Sequence, residues 1–248
     1  MTDQQDYIFG LRPVQEAVEA GRNMERIFIR KGLQGDQFYA LLHLIRQSGI
    51  PYQFVPVEKL NRITRKNHQG IIAVTAIVAY QPFEEVVTRT FESGHDPLFI
   101  VLDCITDVRN MGAIARSAEA AGVDAILLPE KGSAQINPDA MKTSAGALSI
   151  IPVCRTPDLA RSVEYLKNAG LCITGATEKT DLLYYKADFR RPMALVMGAE
   201  DTGISPALLD LCDQVVKIPM LGRISSLNVS AAAAILLFEA VRQRRGDS

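Results

Sequence analysis

Between residues 98 and 220 the sequence repeats one pattern, and that pattern leaves few folds open. Apolar runs at 98–103, 124–129, 150–155, 171–177, 193–200 and 214–220 are too short for ordinary helices and read as strands. Helical stretches around 113–121, 159–168 and 206–211 lie between most of them. A strand that is apolar at successive positions is covered on both faces, which happens when helices pack above and below a parallel sheet. The expectation is an α/β domain. In open sheets of this kind a ligand lies beyond the carboxyl ends of the strands, so the loops after Asp103, Thr177, Glu200 and Met220 are the predicted site.

The amino-terminal stretch alternates differently. It reads as a helix over 11–20 closed by Gly21, a strand over 26–30, a helix over 38–47 closed by Ser48-Gly49, and a strand over 52–55. A basic helix over 57–65 and a strand over 71–78 follow. The predicted organisation is a small α/β domain over 1–78, a linker over 79–97 carrying a short helix, and the larger domain over 98–248. Residues 1–78 hold ten Lys and Arg against seven Asp and Glu, while the remainder holds seventeen against twenty-one. Positive charge is therefore concentrated at Lys59, Arg62, Arg65 and Lys66, where RNA phosphates would be met. No apolar run reaches the ~20 residues of a membrane span, and the polar, acidic start does not resemble a signal peptide. Cys104, Cys154, Cys172 and Cys212 are scattered without metal-ligand spacing, so they read as reduced thiols of a cytoplasmic protein with no metal.

Chemistry concentrates in three loops. The first runs from Asp103 to Arg116, with Asn110 placed to cap a helix and Gly112, Ala113, Ser117 and Ala120 forming a small-residue face. Arg116 on that helix suits an anion. The second, 197–205, carries Gly198, Ala199, Glu200 and Gly203 directly after a strand. Its paired acids Glu200 and Asp201 argue against a phosphate cradle, and the chain lacks both the G-x-G-x-x-G and the G-x-x-x-x-G-K-[ST] loops. The third, 218–230, leads through Ile218-Pro219-Met220 and Ser226-Leu227-Asn228-Val229-Ser230 into a helix so apolar that it reads as buried, against the chain itself or a partner. Ser226 or Asn228 can cap it.

These loops, in this order, closely resemble the motifs of the SpoU, or TrmH-like, ribose 2′-O-methyltransferases. The matching elements are Asn110, Gly112 and Arg116; Gly198, Glu200 and Gly203; and Ile218 to Met220 with Ser226 to Ser230. The FGLRPVQEAV stretch, the His68-Gln69-Gly70-Ile71 turn and Ser133-Ala134-Gln135 look like the branch that methylates a guanosine ribose in large-subunit (23S) ribosomal RNA. Asp201-Thr202 and Val108-Arg109 depart mildly from the family pattern.

The resemblance implies a carboxy-terminal parallel-sheet SPOUT domain with a deep trefoil knot, where periodicity alone reads an ordinary doubly wound sheet. It also implies an amino-terminal L30e-like RNA-binding domain, a homodimer through the catalytic domain, and S-adenosyl-L-methionine as cofactor. Gly198, Ile218 and Leu227 are then the expected cofactor contacts, with Thr177, Ala199, Met220 and Ser226 nearby. Arg116, Asn110, Glu200, Ser226 and Asn228 are the expected catalytic set. The resemblance makes Arg116 essential for handling the 2′-hydroxyl, as general base in some proposals; a guanidinium does not give up its proton in proteins, so the expectation is that it anchors the adjacent phosphate. Arg12, Lys31, Arg65, Lys66 and Asn67 are the expected RNA contacts. A transfer-RNA or resistance-type methyltransferase, a ribosome-assembly protein without catalysis and a Rossmann-type oxidoreductase are the competing readings.

Overall fold

A computed structural model describes residues 7–246. The chain separates into two compact units: one takes the residues up to Ala79 together with Ile136–Pro138, the other Tyr80–Gln135 and Asp139 onward.

The smaller unit contains β1 (Tyr7–Phe9), α1 (Leu11–Glu19), β2 (Met24–Arg30), α2 (Asp36–Gln47), β3 (Tyr52–Val55), α3 (Val57–Ile63) and β4 (Ile71–Thr75). Its sheet has the order β1-β4-β2-β3, with β2 and β3 parallel and β4 antiparallel to β1 and β2. Helical spacing explains one layer. Val14, Ala17 and Val18 of α1, and Phe38, Leu41, Leu42 and Ile45 of α2, form stripes that pack on Ile27, Ile29, Ile71 and Ala73. Alternate strand residues Phe28, Ile72 and Val74 face the other way and meet Leu60 of α3 and Val55. The small sheet is thus buried on both faces.

Two expectations change here. Helix α3 ends at Ile63 rather than 65, because Thr64 is extended (φ −149°) and its hydroxyl accepts from Lys66 N at 3.2 Å. That local turn competes with the next helical hydrogen bonds. Strand β4 ends at Thr75, and β1, too short for a periodic signal, was not foreseen.

The larger unit contains β5 (Tyr80–Gln81), α4 (Phe83–Glu92), β6 (Leu98–Leu102), α5 (Val108–Ala120), β7 (Ala125–Pro129), α6 (Pro138–Thr143, all but its first residue), β8 (Val153–Thr156) and α7 (Leu159–Asn168). It continues with β9 (Cys172–Ala176), β10 (Met193–Met197), α8 (Pro206–Leu209), β11 (Gln214–Val216) and α9 (Val229–Arg244). The strand order is β11-β9-β10-β6-β7-β8-β5, and every pairing is parallel. All residues of β6 and β10 are buried, as continuous apolar runs require. Met197 stands opposite Leu102 in the ladder, so these two strands end level and release their loops side by side.

The segment expected as a linker is built into this unit. Tyr80 and Gln81 add an edge strand beside β8, and Phe83, Val86 and Val87 join the core formed by β6, β7 and β10. Proline and glycine at its ends obscured an amphipathic stripe. Helix α9 is not buried all round: Leu236, Leu237 and Ala240 face the core while Ile235 and Phe238 are 36% and 48% exposed.

Candidate functional site

The loops after β9, β10 and β11 enclose one cavity. It is lined by all seven residues expected near a cofactor: Thr177, Gly198, Ala199, Ile218, Met220, Ser226 and Leu227. The loop after β10 explains its floor. Gly203 takes φ +72° and its N–H donates to Ala199 O at 2.8 Å, so 199–203 close into a turn against the strand end. A side chain at Gly198 would overlap the Gly203 carbonyl and Ile204 N; glycine is required there by space. Val216, Ile218, Leu209 and Leu236 give apolar walls, and Thr177, Glu178 and Ser226 add polar groups. Apolar walls with a few placed polar groups suit a small organic ligand, and the donor set fits S-adenosylmethionine. The outer wall, 221–228, is exposed throughout, with Leu221 at 99% and Ile224 at 73%.

Beside this cavity the three motifs meet in one hydrogen-bonded cluster. Asn228 Nδ2 donates to Glu200 Oε1 at 2.6 Å and to Asn110 Oδ1 at 2.9 Å. Val229 N also donates to Glu200 Oε1, at 3.2 Å, and Asn228 Oδ1 accepts from Ser230 N at 3.0 Å, capping α9. Asn228 is therefore consumed as a staple between loops. Glu200 Oε2 and Asn110 Nδ2 have no partner among the described residues, which leaves one acceptor and one donor for a ligand. Both residues line a second cavity that shares Ala199, Glu200, Asp201 and Val229 with the first.

Asn110 is not the cap of α5. Asp107 holds that place, its Oδ1 accepting from Arg109 N at 2.6 Å and Asn110 N at 3.3 Å, so Asn110 lies in the first turn with its amide turned to Asn228. Asp103 was also missed. It is buried (6% exposed) and its Oδ2 accepts from Ser205 N at 2.7 Å, tying the loop after β6 to the loop after β10. An aspartate ending a strand gives no sequence signal of a partner 102 residues away.

Arg116 stands apart. It is exposed on α5, lines neither cavity, and its side chain makes no hydrogen bond or ion pair with the described residues. Gly112 lets that helix press against α6, since a Cβ there would sit 2.7 Å from Ala140 O and Thr143 Cβ. Cys104 is exposed at the second cavity; desolvation first, and the Asp103 carboxylate second, push its thiol up. No group of acids, cysteines and histidines suited to a metal occurs among the described residues. No helix there is long and apolar enough to cross a membrane.

In the smaller unit Arg12, Lys31, Arg65, Lys66 and Asn67 are all exposed. Arg12 pairs with Glu16 at 3.2 Å, and the Lys66 ammonium lies 5.5 Å from the Phe9 ring centre. Arg65, Lys66 and Asn67 sit on a braced loop rather than a helix. His68 is 9% exposed, takes a hydrogen bond from Gly70 N at 3.0 Å and meets Asn61 Oδ1 at 2.9 Å; Gln69 Oε1 accepts from Leu11 N at 2.9 Å.

Comparison with known proteins agrees with this geometry. Residues 97–238 match the SpoU rRNA Methylase family, and residues 7–81 match the RNA 2′-O ribose methyltransferase substrate binding family. The chain is 38% identical to the 23S rRNA (guanosine-2′-O-)-methyltransferase RlmB of Vibrio parahaemolyticus, covering 96% of this chain and 97% of that one. It is also 38% identical to RlmB of Escherichia coli, covering 96% and 99%. Among solved structures it resembles the SpoU methyltransferase AviRb from Streptomyces viridochromogenes in complex with AdoMet, with TM-score 0.62, 29% identity, and 98% and 91% coverage. With both family models matched in order and relatives aligned end to end, this chain belongs to the SpoU rRNA methylase family.

Proposed function

We propose that this protein methylates the ribose 2′-hydroxyl of a guanosine in 23S ribosomal RNA, using S-adenosylmethionine, in the cytoplasm. The observation that carries the reading is the cluster of Asn110, Glu200 and Asn228 set against the cavity that holds all the expected cofactor contacts. The RlmB relatives at 38% identity supply the guanosine and the 23S target.

The bound cofactor supplies an electrophilic methyl group on a sulfonium. What the chain must do is align the hydroxyl and take up its proton. Glu200 Oε2 accepts the 2′-hydroxyl's hydrogen bond, and Asn110 Nδ2 donates to a neighbouring ribose oxygen. Both are held in place through Asn228, and such preorganisation avoids reorientation during the reaction. Ser226 and the backbone of 218–227 close over the cofactor. Arg116, permanently charged, anchors a phosphate.

Arg116 does not line the cavities of its own chain, so the reading includes a homodimer in which each chain lends Arg116 to the other. Ile235 and Phe238 of α9, at 36% and 48% exposed, and separately Ile150 at 69%, are exposed apolar residues of the larger unit, which supports such pairing. The trefoil knot belongs to the same reading. Residues 182–184 pair outside β11 through Lys217, and the chain then returns to α9, whose Gln243 and Arg244 bind the backbone of 187–191. Arg12, Lys31, Arg65, Lys66 and Asn67 meet RNA phosphates from the smaller unit.

Tritiated S-adenosylmethionine offered with unmodified 23S transcript and, separately, unmodified transfer RNA tests the target. Label in the 23S transcript alone is expected; label in transfer RNA alone overturns the 23S assignment.

A further inference from the structure

The second cavity has a composition that bears on which base is modified. Its volume, about 200 Å³, is far more than the ~10–15 Å³ that one water needs. Asp107, Glu200 and Asp201 line it together with Thr106 and Asn110, and no lysine or arginine does. Such a cavity repels phosphate. Its acids form no metal-binding group. Carboxylate oxygens accept hydrogen bonds, so the matching occupant is rich in N–H donors.

We propose that this cavity takes the target base and that Asp107 selects guanine through its N1–H and N2–H₂ edge. This rests on the methyltransferase reading above, because the cavity shares its Ala199–Asp201 wall with the cofactor cavity, where the ribose must lie. Among the common RNA bases guanine alone places a ring N–H and an amino group side by side. Adenine puts an acceptor where guanine has N1–H.

Asp107 is suited to read that edge. Oδ1 is consumed by the cap of α5, at 2.6 and 3.3 Å from Arg109 N and Asn110 N, which fixes the side chain. Oδ2 has no partner among the described residues, and Asp107 is one of the residues that line the cavity. Capping accounts for one oxygen and leaves the other for a ligand. Specific base readout in RNA uses extruded, unpaired nucleotides hydrogen-bonded on such edges.

The substitution Asp107→Asn separates the two roles. Asparagine caps helices as well as aspartate, but presents an amide where the second carboxylate oxygen stood. Asp107→Ser, also a good cap, provides a second variant without the carboxylate. The substrates are transcripts that the wild-type enzyme labels, carrying guanosine, inosine or adenosine at the labelled position. Wild type is expected to prefer guanosine by about 10- to 100-fold over adenosine, and less over inosine, which lacks only the amino group. Both variants are expected to lose most of that kcat/KM preference while binding S-adenosylmethionine as wild type does. Variants that keep the wild-type ratio overturn the assignment of Asp107 and leave the methyltransferase reading standing. Wild-type enzyme that methylates no transcript overturns that reading, and this one with it.

Discussion

At the scale of single residues, some groups hold the site in shape and others are placed to act in it. In the proposed reaction Glu200 does both, through different oxygens. Glu200→Gln keeps a carbonyl for Asn228 and Val229 but removes the free carboxylate oxygen. Turnover should fall by about 10²- to 10⁴-fold, the usual size of a general acid–base contribution, with cofactor affinity by calorimetry almost unchanged. A buried thiol gives a separate test. Burial pushes the Cys154 thiol up from 9.0 to about 12, the Arg89 and Glu84 charges being smaller influences. The folded chain therefore holds this proton where the unfolded chain has lost it. Its contribution to stability is complete below pH 9 and is lost as pH rises toward 12. Urea unfolding should show a stability decline of about 1.4 kcal/mol per pH unit from this group above pH 9, and Cys154→Ala should flatten it. Unequal legibility also begins here. Asn110 and Glu200 stand out in spaced motifs and are joined through Asn228, Arg116 from the same motifs lies outside both cavities, and Asp103 and Asp107 act through backbone groups that only the folded loops bring near.

At the scale of elements, strands were the most legible part of the chain. Each apolar run from residue 98 onward became a strand because burial on both sheet faces leaves little else for such a run to do. Ends were less legible, since side-chain hydrogen bonds decide them: Thr64 stops α3 and Asp107 starts α5. The segment 83–92 shows a third case, where flanking proline and glycine read as a linker although Phe83, Val86 and Val87 lie in the core. Two glycines make the element account testable. Gly198→Ala collides with backbone atoms of the turn under the cofactor cavity. It should abolish S-adenosylmethionine binding by calorimetry, while far-ultraviolet circular dichroism stays near that of the wild type. Gly112→Ala forces α5 away from Ala140 O and Thr143; overpacking of this kind typically costs about 1–3 kcal/mol, read as a lower urea midpoint.

At the scale of the whole molecule, the sequence could place strands but not the order in which they lie, and β10 between β6 and β9 is what brings three distant motifs together. Arg116, outside its own chain's cavities, leads to a prediction about pairs of chains. Arg116→Ala and Gly198→Ala proteins should each be inactive. After subunit exchange, random mixing makes half the dimers mixed, each with one complete site, so activity should recover to about a quarter of wild type. No recovery after demonstrated exchange would place Arg116 in its own chain's site. Neutralising Arg65 and Lys66 together should reduce the salt dependence of RNA binding by about one to two units of slope. The central claim, a ribose rather than a base as acceptor, is tested most directly by mapping the transferred methyl group. Purified enzyme, tritiated S-adenosylmethionine and unmodified 23S transcript should give label on the 2′-oxygen of one guanosine, recovered after nuclease digestion as 2′-O-methylguanosine. Label on a base nitrogen or carbon would contradict the account.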